Sequence, residues 1–412
     1  MSVSPNSAQA RVAADGAASR GASDQAALRS FLARILSPDI VSAIDHADEP
    51  RRDLIAAIGE RGFLANCFDS QVTQGPLRIR FSELKSFISQ LALTKHWGLT
   101  LSSAIHLGVF LPMLSRLARS DYHHEVVRSG LRGELLGTVA ATDSQAAGSD
   151  FAGMETTATF EGSIVRLHGQ KTFITSATMA DAAIVFARWR PGRHFANYCA
   201  LLVPTNLAGI SSEPIAMAVM RGGGIGRLQF DDVKLPKDAV LGRREFGMRY
   251  FLEHIATERL IGGIWASSVA KQTLCSTQSY LAAHQVGERT LWTRDAVRQR
   301  FAGAVVEYVQ LRALVDETIR NADVAGFVDP LRATSIKAAV PGVMERIGGI
   351  CLQLRGARGL LADSELLRSL TEFRAFGIGG GSTEAMLEIV ADLWASSSAV
   401  EQIDGSSPGD VS

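Results

Sequence analysis

The chain has 412 residues, with 42 Lys+Arg against 42 Asp+Glu, 46% hydrophobic and 20% charged residues. That length allows two or three domains. The absence of a basic excess excludes a nucleic-acid binder and a protein held on anionic membranes. Only seven of the basic residues are Lys, which we read as coding bias. The four cysteines are scattered with no Cys-x-x-Cys pair, and with no secretory signal they read as reduced thiols in a cytoplasmic protein.

Residues 1–24, rich in Ala, Ser and Gly, read as a disordered tail. Residues 25–136 are helical in period, with stripes at Leu28, Phe31, Leu32, Ile35 and at Leu84, Phe87, Ile88, Leu91. Residues 101–117 are apolar, yet read as too interrupted for a membrane span. From 137 to 242 the pattern turns to short strands. Thr156–Phe160 and Ile164–His168 flank a hairpin turn at Glu161-Gly162-Ser163, and Ala183–Ala187, Tyr198–Val203 and Leu228–Phe230 follow. Residues 243–396 are helical again, with segments Met248–His284, Arg294–Arg320, Leu331–Leu354 and Thr383–Trp394, before a polar tail at 397–412. The order predicts an α+β fold, a β domain between two helical domains that pack together.

Generic motifs fail. There is no phosphate loop of the Walker type, and the Gly222–Gly226 and Gly377–Gly381 clusters lack dinucleotide spacing. The one Gly-x-Ser-x-Gly, Gly405 to Gly409, lies in the polar tail. His123-His124-Glu125 lacks zinc spacing and reads as a solvated helix face; no metal site is expected. One residue stands out. Phe251, Ile255, Gly262, Trp265 and Val269 share one buried helix face, and Glu258 falls on it. Burial raises a carboxylate pKa, as a general base near neutrality requires. A core ion pair with Arg259 or another Arg is the alternative.

Several segments resemble the acyl-CoA dehydrogenase family. Thr142 to Asp150 resembles Thr-Glu-Pro-x-x-Gly-Ser-Asp with one residue inserted. Gly169-Gln170-Lys171-Thr172-Phe173-Ile174-Thr175-Ser176 resembles Gly-Glu-Lys-x-Trp-Ile-Thr-Asn. Phe230 to Pro236 resembles Phe-x-Asp-Val-x-Val-Pro, with Arg221 nine residues earlier. Gln353 to Gly359 resembles Gln-x-x-Gly-Gly-x-Gly, and Gly379 to Glu384 resembles Gly-Gly-Thr-Thr-Glu-Ile. The motifs run in family order over about residues 30–395.

The resemblance implies an N-terminal helical domain, a middle β-barrel-like domain and a C-terminal four-helix bundle, with FAD between the last two. It places Thr142, Gly148 and Ser149 at the flavin or its phosphates, Phe173 and Thr175 beside the isoalloxazine, and Ser382 and Glu384 at the adenosine side. Arg289, Gln353 and Gly356 would serve the FAD of a neighbouring subunit, implying a homotetramer or homodimer. Many members carry the catalytic Glu in the last motif, where this chain has Gly380. A second group, similar to the isovaleryl- and long-chain enzymes, carries it in a Glu-Arg-Leu eleven residues after a Gly, as Glu258-Arg259-Leu260 follows Gly247 here. The implied catalytic residues are Glu258 and the Gly380 main chain, with Arg259 at the substrate. The expected reaction is α,β-dehydrogenation of an acyl thioester, of coenzyme A or a carrier protein, with electrons passed to an acceptor such as an electron-transfer flavoprotein. Phe173 in place of Trp, and the loop Arg221-Gly222-Gly223-Gly224-Ile225 without the family's hydroxyls, fit a biosynthetic member. A flavin monooxygenase on the same fold is the alternative enzyme, and a non-catalytic interaction protein the alternative class.

Overall fold

A computed structural model describes residues 25–69, 75–143 and 153–403; the tail expected at 1–24, and residues 404–412 of the tail expected at 397–412, lie outside them. The N-terminal helical block comprises α1 (25–35), α2 (Pro38–Ala47), α3 (Arg52–Glu60), α4 (Phe81–Leu93), α5 (Trp97–Ile105), α6 (Leu111–Leu117) and α7 (Asp121–Leu131). A π-helical turn, His106–Phe110, joins α5 to α6 into one helix. Contrary to the sequence expectation, Trp97–Leu117 is apolar and long enough to cross a bilayer, but its apolar 18-residue stretch is 89% buried inside the fold. Its hydrophobicity serves the core. His123 also departs from expectation: it is buried, and its Nδ1 accepts from the Arg119 N–H at 3.2 Å.

The middle block is one seven-stranded sheet: β1 (Gly137–Ala140), β2 (Thr157–Glu161), β3 (Ile164–Ile174), β4 (Ala182–Arg188), β5 (Tyr198–Pro204), β6 (Ile210–Pro214) and β7 (Gly226–Pro236). The β2–β3 hairpin turns at Gly162, φ +59°, with Glu161 opposite Ile164. β4 pairs with β1 in parallel and with β5 antiparallel, and touches β2 only at Arg188, so the sheet curls. Its inner face, including Val165, Leu167, Val185, Leu201, Phe230 and Leu235, forms a core of its own. β3 and β7 run further than the sequence predicts because each pairs along nearly its whole length.

The C-terminal block contains α8 (Gly247–Ala283), a short hairpin of β8 (Gln285–Val286) and β9 (Arg289–Thr290), then α9 (Asp295–Ala325), α10 (Pro330–Arg355), α11 (Glu365–Arg374) and α12 (Thr383–Ile403). α12 continues past the expected end at Ser396. α10 starts at a Pro behind Asp329, whose carboxylate accepts from the Arg332 N–H at 2.8 Å. α8 begins against the sheet. A Cβ on Gly247 would sit 2.6 Å from the Tyr198 carbonyl oxygen, so only glycine lets the helix start there. Trp97 of α5 stacks on Trp265 of α8 at 5.2 Å, and Phe373 and Phe376 meet the two indoles edge-on. This aromatic cluster ties the two helical blocks together beside the turn that follows α11.

Candidate active site

The expected buried face of α8 is present: Phe251, Ile255, Trp265 and Val269 are buried, and Glu258 is partly buried among them. Its carboxylate reaches the turn between α11 and α12. There Gly380 and Gly381 adopt φ +69° and +103°, conformations that disfavour a side chain. A Cβ placed on Gly380 would lie 3.2 Å from Glu258 Oε1 and 3.6 Å from Lys337 Cε. The missing side chain at Gly380 therefore leaves space that a carboxylate from α8 and a lysine from α10 both border.

Among the described residues Glu258 makes no hydrogen bond and no ion pair within 4.0 Å. Burial pushes its carboxyl above the ordinary carboxylate range, opposed by the charges of Lys337 and Arg259. Arg259 turns into the bundle, where Nη1 donates to Thr334 Oγ1 of α10 at 2.8 Å and the buried Nε has no partner among the described residues. Burial pulls its guanidinium below the usual value, with Glu258 holding it up. The two residues interact through the field, without the close ion pair that a structural role would use. Gly380 N–H has no hydrogen-bond partner among the described residues. An unengaged carboxylate of raised pKa beside an unengaged main-chain donor can take a proton from a carbon next to a polarised carbonyl.

A second group of expected residues gathers at the end of β3. Phe173, φ +54°, sits in an irregularity between Lys171 and Ile174 and is 61% exposed. The Thr175 carbonyl accepts from Thr138 Oγ1 at 2.5 Å, and the Thr142 carbonyl accepts from the Thr172 N–H at 2.9 Å. Gly148 and Ser149 lie outside the described residues. Sequence reasoning missed the buried Asp143–Lys171 ion pair. Asp143 also accepts the backbone N–H of Glu155 at 2.5 Å and of Thr156 at 2.7 Å, joining the chain on the two sides of 144–152. The signal was a charged residue at an inward register of β3.

Ser382 caps α12, accepting from the Ala385 N–H at 3.3 Å, and Glu384 is exposed in its first turn. Gln353 and Gly356 end α10, about 24 Å along the helix from Lys337 at 1.5 Å per residue. Arg289 is exposed in the β8–β9 hairpin beyond the end of α8, where it donates to the Thr293 carbonyl at 3.0 Å. Tyr280 of α8 donates to the Arg355 carbonyl at 3.3 Å, so these two ends adjoin. One chain thus brings together Glu258, Arg259, Lys337 and Gly380, and leaves Arg289 and Gln353 at the opposite end of the bundle.

Residues 138–233 match the family model of the acyl-CoA dehydrogenase middle domain, and residues 245–393 that of the C-terminal domain. The chain is similar to the long-chain specific acyl-CoA dehydrogenase of Rattus norvegicus mitochondria, 26% identical over 70% of this chain and 67% of that protein. It is also similar to the acyl-[acyl-carrier-protein] dehydrogenase MbtN of Mycobacterium sp., 27% identical over 73% of this chain and 78% of that protein. Its fold superposes on a crystal structure of an acyl-CoA dehydrogenase from Geobacillus kaustophilus with TM-score 0.84 and 23% identity, over 91% and 98% of the two chains. Together with a curled sheet held between two helical blocks, these matches show that the chain belongs to the acyl-CoA dehydrogenase family.

Proposed function

We propose that the protein is an FAD-dependent dehydrogenase that oxidises an acyl thioester between Cα and Cβ, with Glu258 as the base. One observation carries the reading: Glu258 Oε1 lies 3.2 Å from where a Gly380 side chain would begin, the place the family's other base position would occupy.

The residues present fit the cofactor. Phe173 holds a strained backbone conformation while showing its ring to open space, an arrangement that a flat aromatic partner would repay. Thr142 and Thr175 lie beside the same end of β3, and the start of α12 offers a helix N-terminus to anionic groups. When bound, FAD supplies the hydride acceptor for the β-carbon. Glu258 removes the α-proton. The Gly380 N–H, held out by the left-handed turn, donates to the thioester carbonyl oxygen and so acidifies that proton. The apolar wall of Trp265 and Phe376 keeps water away from the carboxylate. Arg259 enters as a charge acting on Glu258. Arg289, Gln353 and Gly356 face a neighbouring subunit of a homo-oligomer, and an electron-transfer flavoprotein or similar acceptor takes the electrons. The acyl group rides on coenzyme A or on a carrier protein.

Anaerobic titration of the flavin-loaded protein with acyl-CoA and acyl-carrier thioesters tests this. Bleaching of the flavin with formation of the enoyl thioester is expected. Oxygen consumption coupled to substrate hydroxylation, with no bleaching, would replace dehydrogenation by monooxygenation.

A further inference from the structure

Lys337 belongs to no motif of the chain and yet is 6% exposed in the middle of the bundle. It stands on α10 between Ala333 and Val340, both buried, on a face where a lysine has no ordinary reason to be. Its Nζ donates to the carbonyl oxygens of Phe376 and, at 2.7 Å, Gly379. An ammonium has three donors, and the third has no partner among the described residues. Lys337 Cε and Glu258 Oε1 lie within 4 Å of one point, the empty side-chain position of Gly380.

We propose that Lys337 is a positioning residue of the site, clamping the Phe376–Gly380 turn through two carbonyls so that the Gly380 N–H faces the substrate, and holding Glu258 in its ionised form. The inference rests on Glu258 being the base. The two carbonyls fix the Phe376–Gly377 and Gly379–Gly380 peptide planes, and the second is the peptide whose N–H is that of Gly380. The clamp therefore sets the direction of the proposed donor. Its charge then serves Glu258. The charged side chains acting on Glu258 are Lys337 from α10 and Arg259 from α8, and those acting on Lys337 are Glu258 and Arg259. The turn adds its two carbonyls, which favour the ammonium. Burial pulls Lys337 down to about 8, with Glu258 holding it up, so it remains mostly charged at neutral pH.

The test uses the flavin-loaded protein and the variants Lys337→Met and Lys337→Gln. The Gln variant keeps a donor for the carbonyls and serves if Met does not fold. The Glu258 carboxyl stretch is followed by infrared pH titration, assigned by its loss in Glu258→Gln. This readout needs no turnover. We expect Glu258 to titrate about 1 pH unit higher in both variants, at the low end for loss of a nearby opposite charge. We also expect kcat to fall at least tenfold in Lys337→Met and less in Lys337→Gln. An unmoved Glu258 titration in either folded variant overturns the electrostatic role, and equal kcat in Met, Gln and wild type overturns the clamp. A wild-type protein that oxidises no thioester would refute the dehydrogenase reading instead, while the infrared titration would still judge the Lys337–Glu258 coupling.

Discussion

Replacing Gly380 by Ala separates two roles of the turn. Gly380 has φ +69°, where an L-residue other than Gly is disfavoured by about 1–2 kcal/mol. The new Cβ would stand 3.2 Å from Glu258 Oε1, closer than ordinary carbon–oxygen packing, so the carboxylate must withdraw by a few tenths of an ångström. A misplacement of about 1 Å in a reacting group costs roughly 100-fold in rate, so a shift of about a third of that corresponds to roughly fivefold. The variant is thus expected to lose about 1–2 kcal/mol in chemical denaturation and about fivefold in kcat, with flavin retained. Gly377 lies in the same turn without a positive φ, and its Cβ would meet Pro341 only at 3.5 Å. Gly377→Ala is therefore the control, expected to change neither quantity. Wild-type kcat in Gly380→Ala, with the stability loss present, would show that Glu258 is not confined by this space and refute its placement as the base.

Glu258→Gln should lower turnover roughly 10²–10⁴-fold while leaving flavin content unchanged, measured by single-turnover bleaching. Because burial raises the Glu258 pKa and the anion is the active form, activity should decline as pH falls, beginning above the ordinary carboxylate range; a kcat/KM profile flat down to pH 4 would contradict this. Phe173→Gly should relieve the strained φ +54°, stabilising flavin-free protein by up to about 1 kcal/mol while weakening flavin binding, seen by paired thermal melts and flavin titration. Asp143→Asn leaves the buried Lys171 ammonium without its counter-charge and should cost about 3–5 kcal/mol, read from chemical denaturation.

Much of this was legible in the sequence because periodicity reports burial. Glu258 announced itself by lying in register with Phe251, Ile255 and Trp265, and the strands by their alternation. Lys337 was not legible, although it is one of only seven lysines and sits in register with buried Ala333 and Val340. Periodicity marks it as anomalous, but its partners are main-chain carbonyls of a turn about forty residues on, which carry no sequence signature. The Asp143–Lys171 pair was hidden similarly, since nothing local says that two charged residues will meet under a sheet. His123 was misread because polarity was equated with solvent exposure, whereas a neutral imidazole can be satisfied inside by main-chain groups, here those of Arg119 and Asp238. The helix Trp97–Leu117 shows that hydrophobic length alone does not distinguish the core of a bundle from a bilayer.

Carrying the carboxylate on α8 has a mechanical consequence. α8 has 37 residues, about 55 Å of continuous helix, and is fixed to the N-terminal block by the Trp97–Trp265 stack. The turn at Ile378–Gly381 is short, glycine-rich and hung from a single lysine. The carboxylate and the main-chain donor that meet at Gly380 are thus carried by different segments of the chain, one on a long anchored helix and the other on a turn held by Lys337.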